Sequence, residues 1–186
     1  GINNASSKSN AVLTINGYTD GSASLLLPAG SNSVGAYYGA TVNFNNVEIL
    51  GHDENLTSNI HGVIISGATV NMDQVVVENT VMAGIRLNAE GGVLNATNTV
   101  VRNTGTLGIS LGTGKVTLGD GVTLQNTASH AVQVEAKGEL NVTGAVAVET
   151  AAGNALHISG NANISGKLDL KNIGGTGLQM GSASKV

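Results

Sequence analysis

Cysteine and tryptophan are absent from the 186-residue chain, which also holds one proline and only three Tyr and one Phe. Without cysteine the chain cannot be a disulfide-stapled module, a thiolate zinc site or a thiol enzyme. Charged residues make up 11%, less than half the usual ~25%. Apolar residues nevertheless reach 41%, so the pairing of low hydrophobicity with high net charge that marks disorder is missing. Twelve acids against eight bases give a net charge of -4, the wrong sign for a nucleic-acid partner. No apolar run approaches the ~20 residues of a membrane-spanning helix, and no basic-then-apolar leader opens the chain. A soluble, processed piece is expected, with its negative charge concentrated in residues 1–100.

The sequence is rich in glycine, 27 residues in all, and it repeats. A small residue followed by apolar, any, apolar recurs as Gly62-Val63-Ile64-Ile65, Gly84-Ile85-Arg86-Leu87, Gly108-Ile109-Ser110-Leu111, Ala131-Val132-Gln133-Val134, Ala155-Leu156-His157-Ile158 and Gly177-Leu178-Gln179-Met180, at steps of 22 to 24 residues. A second alternating segment follows each start, as in Val70-Asn71-Met72 and Leu94-Asn95-Ala96. A third closes the unit, as in Val75 to Asn79 and Thr99 to Asn103. Period-two alternation between Gly, Asn, Ser and Thr punctuation reads as short strands joined by turns, and no apolar stripe of period 3.6 persists. Matching strands that recur in one direction at constant spacing stack in parallel. The fold class expected is therefore an all-β parallel β-helix, a solenoid with three strands per ~23-residue coil and coils ~4.8 Å apart. Residues 31–186 are expected to form the regular coils, seven or eight counting the start of the chain, with residues 1–30 as irregular first coils. An early unit is read from Gly35 to Tyr38, Thr41 to Phe44 and Val47 to Gly51. The sequence breaks off within a repeat at Val186, so part of a longer rod is expected.

Alternation also assigns faces. Val63, Ile65, Val70, Met72, Val75 and Val77 should point inward, and Ile85, Leu87, Leu94, Ala96 and Val101 in the next coil; Tyr38 and Phe44 are expected inward as well. Residues one coil apart form columns. Asn79, Asn103, Asn126, Thr150 and Asn172 follow the third strand, where asparagine suits a left-handed corner and stacked amides can bond from coil to coil. Glu78, Arg102, Gln125, Glu149 and Lys171 place opposite charges on adjacent coils twice. Asn43, Asn71, Asn95, Thr117, Asn141 and Asn163 lie outward on the second strand. That strip of amides and a hydroxyl suits carbohydrate or another copy of the chain, and it is equally the composition of a solvated sheet face. The candidate binding residues are thus Asn71, Asn95, Thr117, Asn141 and Asn163. Asn-x-Ser/Thr triplets occur at Asn55, Asn95, Asn141 and Asn163, and repetition of the strand motif explains most of them without glycosylation.

Departures from the repeat add two candidates. Residues 51–61 interrupt the spacing, and insertions in solenoids become loops that carry binding. Asp53 and Glu54 there complete the candidate set. No metal is expected, since His52, Asp53, Glu54 and His61 match no ligand spacing and an acidic loop is simply solvated. Tyr37 and Tyr18 are candidates to stack on a sugar. Catalysis is not expected: Glu48, Asp73 and Glu78 fall on different strands, and no calcium repeat, phosphate loop or Ser-His-Asp set is present. His130 and His157 read as surface residues, and no cofactor is implied.

With units such as Gly108-Ile109-Ser110-Leu111, Val116-Thr117-Leu118 and Val122-Thr123-Leu124-Gln125-Asn126 laid out, the chain resembles the passenger domains of Gram-negative autotransporters of the pertactin and self-associating adhesin type. The resemblance covers about residues 31–186 and is one of composition and repeat style. It implies a right-handed parallel β-helix displayed at the cell surface or released, exported across the outer membrane through a C-terminal β-barrel outside this sequence. It also implies a virulence-linked adhesin that binds host matrix proteins or glycans, or another copy of itself. No Arg-Gly-Asp tripeptide occurs. A polysaccharide lyase or hydrolase and a passive stalk are the alternatives.

Overall fold

The computed structural model describes residues 11–17, 24–26, 33–51, 60–182, 184 and 185. Tyr18, Asp53, Glu54 and Asn55, with most of the 51–61 insertion, lie outside these residues. The described chain is all-β, with parallel strands stacked into a solenoid of about six turns. The third strands build one sheet from Ser24–Leu26 through Glu48–Leu50, Val76–Thr80, Val100–Thr104, Val122–Thr127 and Val146–Val148 to Leu168–Leu170. The first and second strands share the other sheet, because they run together as single strands at Ile109–Leu118 and Val132–Val142. The register of these two shifts between Leu111 and Thr113, where the corner between strands has opened into an irregular stretch.

The early coils are longer than the ~23 residues expected. Partners are 29 residues apart between Thr14 and Asn43 and 28 between Asn43 and Asn71, against 24 between Asn71 and Asn95. The alignment of the early unit also changes. Val34 pairs with Val63 and Gly35 with Ile64, so Ser33, not Gly35, takes the place of Gly62.

Inward positions are filled as the alternation requires. Val63, Ile65, Val70, Met72, Val75 and Val77 are buried, as are Ile85, Leu87, Leu94, Ala96 and Val101, within one core running from Ala36 to Ala162. Tyr38 is the exception. It stands at a corner with φ 53° and is 49% exposed, because the chain turns there instead of continuing the strand. Phe44 is fully buried. The small residue that opens each repeat has a steric cause: a Cβ on Gly62 would lie 2.5 Å from the carbonyl oxygen of Gly84, and one on Gly108 2.5 Å from that of Ala131. Ala131 and Ala155 fill the same column, fully buried, so the later coils leave room for a methyl group and nothing larger is used.

Asn79, Asn103, Asn126 and Asn172 all adopt the left-handed conformation, with φ between 49° and 57°. The amide of Asn103 donates to Asn79 Oδ1 at 3.2 Å, and that of Asn126 to Asn103 Oδ1 at 3.1 Å. Thr150 interrupts the ladder, its hydroxyl donating to the Glu149 carbonyl. A second left-handed corner, between the second and third strands, is formed by Asn46, Gln74, Asn98 and Gly121. Of the two charge pairs expected beside the Asn column, Arg102 meets Glu78. Glu149 instead accepts from Gln125 at 2.6 Å, and Lys171 turns to Asp169 at 3.3 Å.

The Asn corner makes a separable prediction. Asn103→Ala forces a Cβ-bearing residue without a local hydrogen bond into the left-handed region and should cost about 1–2 kcal/mol. Asn103→Gly keeps the backbone unstrained and loses only the ladder, so it should cost less. Urea unfolding of both variants measures the order; equal losses would mean that the ladder, not the backbone, sets the residue.

Candidate functional site

Alternation along Ala68–Asp73 buries Val70 and Met72 and turns Asn71 and Asp73 outward. Parallel, in-register pairing then stacks like on like. Thr14, Asn43, Asn71, Asn95, Thr117, Asn141 and Asn163 occupy one continuous column. Four of them bond in series: Asn95 donates to Asn71 Oδ1 at 2.8 Å, Asn71 to Asn43 Oδ1 at 2.8 Å, and Asn43 to Thr14 Oγ1 at 3.1 Å. A parallel row stands beside it, with Asn45 donating to Asn16 at 2.7 Å and Thr97 to Asp73 at 2.8 Å. Between the two rows lies a shallow, open depression of about 280 Å³ lined by Thr14, Asn43, Asn45, Asn71, Asp73, Asn95 and Thr97.

The chemistry of this surface follows from what each amide has left. Asn71 uses one N–H to donate and one lone pair to accept, which leaves one N–H and one lone pair. The column therefore offers alternating donors and acceptors at the coil spacing of ~4.8 Å. Asp73 adds a fixed negative charge. Hydrogen bonds from Asn98 and Thr97 hold its carboxyl below the usual carboxylate range, so it is ionised and accepts.

The expected binding residues do not form one unit. Asn71 and Asn95 lie together in the depression, whereas Thr117 marks the end of the ladder. Beyond it Asn141 turns within its own coil to Glu139 at 2.9 Å, and Glu139 also pairs with Lys115 at 2.9 Å. The Asn141 amide and the Lys115 ammonium keep the Glu139 carboxyl below its ordinary value. Asn163 is exposed on the far side of that charged step. Asn43, Asn45, Asp73 and Thr97 join the site instead. Asn43 is a member of the expected column, and Asn45, Asp73 and Thr97 stand two residues further along their strands, so alternation turns them to the same face. Tyr37 and Tyr38 place their rings 6.1 Å apart, with the Tyr37 ring folded over Gly35.

The histidines differ from the sequence reading. His130 and His157 meet edge to face with centroids 4.7 Å apart, and His157 Nδ1 is buried without a partner. His130 Nδ1 accepts the backbone N–H of Asn154 at 2.9 Å. Asn154 in turn accepts from the backbone N–H of Thr176 at 2.8 Å and donates to Gln179. This contact between unlike residues in three coils has no repeating signature in the sequence. Among the described residues, no group of three or more His, Asp or Glu is placed to hold a metal ion. Among the described residues no helix is long and apolar enough to cross a membrane, which says nothing of β-barrels.

Comparison of the chain with protein-family models, with curated proteins and with solved structures finds no match. The fold and the residues themselves are what bear on its function.

The histidine contact sets a pH dependence. Burial and the neighbouring His157 lower the His130 pKa from its usual 6.5, and burial and Arg86 lower that of His61. The unfolded chain then binds these protons more readily than the folded one, so stability is full above the unfolded value and falls as pH drops through about 6.5 toward the lower folded value. Asp73 and Glu139 lose their contribution only further down, below about 4. The urea midpoint should therefore fall between about pH 7.5 and 5.5, and fall less in His130→Gln, whose amide oxygen can still accept from Asn154. An equal or larger fall in the variant would contradict the assignment.

Proposed function

We propose that the chain is a surface-displayed binding rod, an adhesin-type passenger module of the bacterial autotransporter kind. It holds a glycan, a host surface protein or a second copy of itself through the outward face of its second strands. The observation that carries this reading is the bonded column of Asn43, Asn71 and Asn95 beside Asp73. Such a column presents unspent donors and acceptors at regular spacing. Each hydrogen bond to a partner contributes about 0.5–1.5 kcal/mol net, and many in register sum to a useful affinity. Parallel stacking supplies that register without any loop having to be positioned.

An ionised, doubly hydrogen-bonded carboxylate suits recognition better than proton transfer, and for that reason the reading is a binding module, not an enzyme. Export to the cell surface, with an outer-membrane barrel encoded outside this sequence, is supported by a cysteine-free, Gly- and Asn-rich repeat and by the solenoid fold that it makes.

A charge swap tests the surface without adding net charge. Asn71→Lys together with Asn95→Glu removes the amide column and leaves every inward residue in place. Clumping of protein-coated beads and capture on a glycan array should both be read. The reading predicts that whichever activity the parent chain shows falls at least about tenfold in N71K/N95E and persists in N141K/N163E. Activity retained in N71K/N95E, or absent from the parent in both assays, would contradict it.

A further inference from the structure

The imidazole of His61 lies between two N–H donors. The backbone N–H of Ala83 points at Nδ1 from 3.2 Å, and Arg86 Nη1 lies 3.1 Å from Nε2. A neutral imidazole has one lone pair to give and one N–H of its own. Ala83 is buried, and a buried backbone N–H must find an acceptor, so Nδ1 takes that role and Nε2 carries the proton. Nε2–H and the guanidinium, which can only donate, then face each other with no acceptor between them. A donor meeting a donor is repulsive, and an oxygen bearing negative charge is the group that satisfies both.

Among the described residues, no side-chain acceptor is recorded against Arg86 other than the His61 ring. His61 is itself 6% exposed and fixed by its coil, with its backbone N–H donating to Ser33 Oγ at 3.1 Å. Arg86 is exposed and can open outward to admit a ligand. Its neighbours in the column, Ile64 and Ser110, carry no charge. The ion pairs among the described residues are Arg102 with Glu78, Lys115 with Glu139 and Lys171 with Asp169, so no described carboxylate is spent on Arg86.

We propose that His61 and Arg86 form an oxyanion site that binds a carboxylate or phosphate group carried by an external ligand. The buried Nε2–H supplies a fixed donor and the guanidinium supplies the charge and a movable second contact, the pairing that charge-assisted recognition of an oxyanion uses. The site is made by Arg86 on the first strand Ile85–Leu87 and by His61 just before the first strand Val63–Ser66, and it does not depend on the amide column of the second strands.

Nitrogen-15 spectra of the imidazoles and arginines in the full chain, titrated separately with glucuronate, inorganic phosphate and glucose, test the proposal. The free protein should show His61 as the Nε2–H tautomer. Glucuronate or phosphate should move the His61 and Arg86 resonances saturably and raise the His61 pKa, while glucose should not. The stronger of the two anions identifies an acidic sugar or a phosphorylated ligand as the source. Arg86→Gln should weaken binding at least about tenfold, and N71K/N95E should leave it unchanged. An Nδ1–H tautomer, absence of saturable shifts with both anions, or undiminished binding in Arg86→Gln would overturn the proposal. So would shifts seen only when Asp53→Asn and Glu54→Gln are combined, since the chain would then supply its own carboxylate.

Discussion

Hydrogen bonds between successive coils are the constraint from which the other features follow. The N–H of Val63 donates to the carbonyl of Gly84, Ile85 to Gly108, Ile109 to Ala131, Val132 to Ala155 and Leu156 to Gly177, each at 2.8 to 3.0 Å. A coil has few backbone partners of its own, so its strands are satisfied only by the coils on either side. That dependence fixes the register, and the register stacks equivalent residues. Apolar residues at alternate positions then merge into one core, and the polar residues between them merge into columns. Corners must turn at the same height in every coil, which is why left-handed asparagines recur along one edge.

Much of this was legible because it repeats. Apart from Tyr38, the inward residues, with the Asn79 to Asn172 corner and the Asn43 to Asn163 column, follow from spacing and alternation, and the structure places them so. What was not legible lacks a repeating residue type. The corner of Asn46, Gln74, Asn98 and Gly121 is the same backbone feature, but Gln74 hides it, being an uncommon residue for a left-handed turn. Tyr38 was assigned to the core by alternation, yet the strand ends before it. The contact of His130 with His157 joins a turn in one coil to a strand in the next, and the His61 and Arg86 pair joins residues of different character. Spacing cannot reveal contacts between unlike residues.

The candidate site was half readable for the same reason. A column predicts which side chains are neighbours but not which of them bond. Asn71 and Asn95 continue a ladder, whereas Asn141, in the same column, bonds to Glu139 and belongs to an ion-paired step with Lys115. The outward surface therefore divides: neutral amides with one ionised acid on the earlier coils, and paired charges on the later ones. A hydrogen-bonding partner is better met by the first, where donors and acceptors remain unspent, than by the second, where opposite charges already satisfy each other.

The most direct test of the stacked-coil account is the detection of scalar couplings across the inter-coil hydrogen bonds. In the isotopically labelled chain, the amide nitrogens of Val63, Ile85, Ile109, Val132 and Leu156 should couple to the carbonyl carbons of Gly84, Gly108, Ala131, Ala155 and Gly177. Couplings that instead join residues within one repeat, as antiparallel hairpins would give, would contradict the solenoid and the columns built on it.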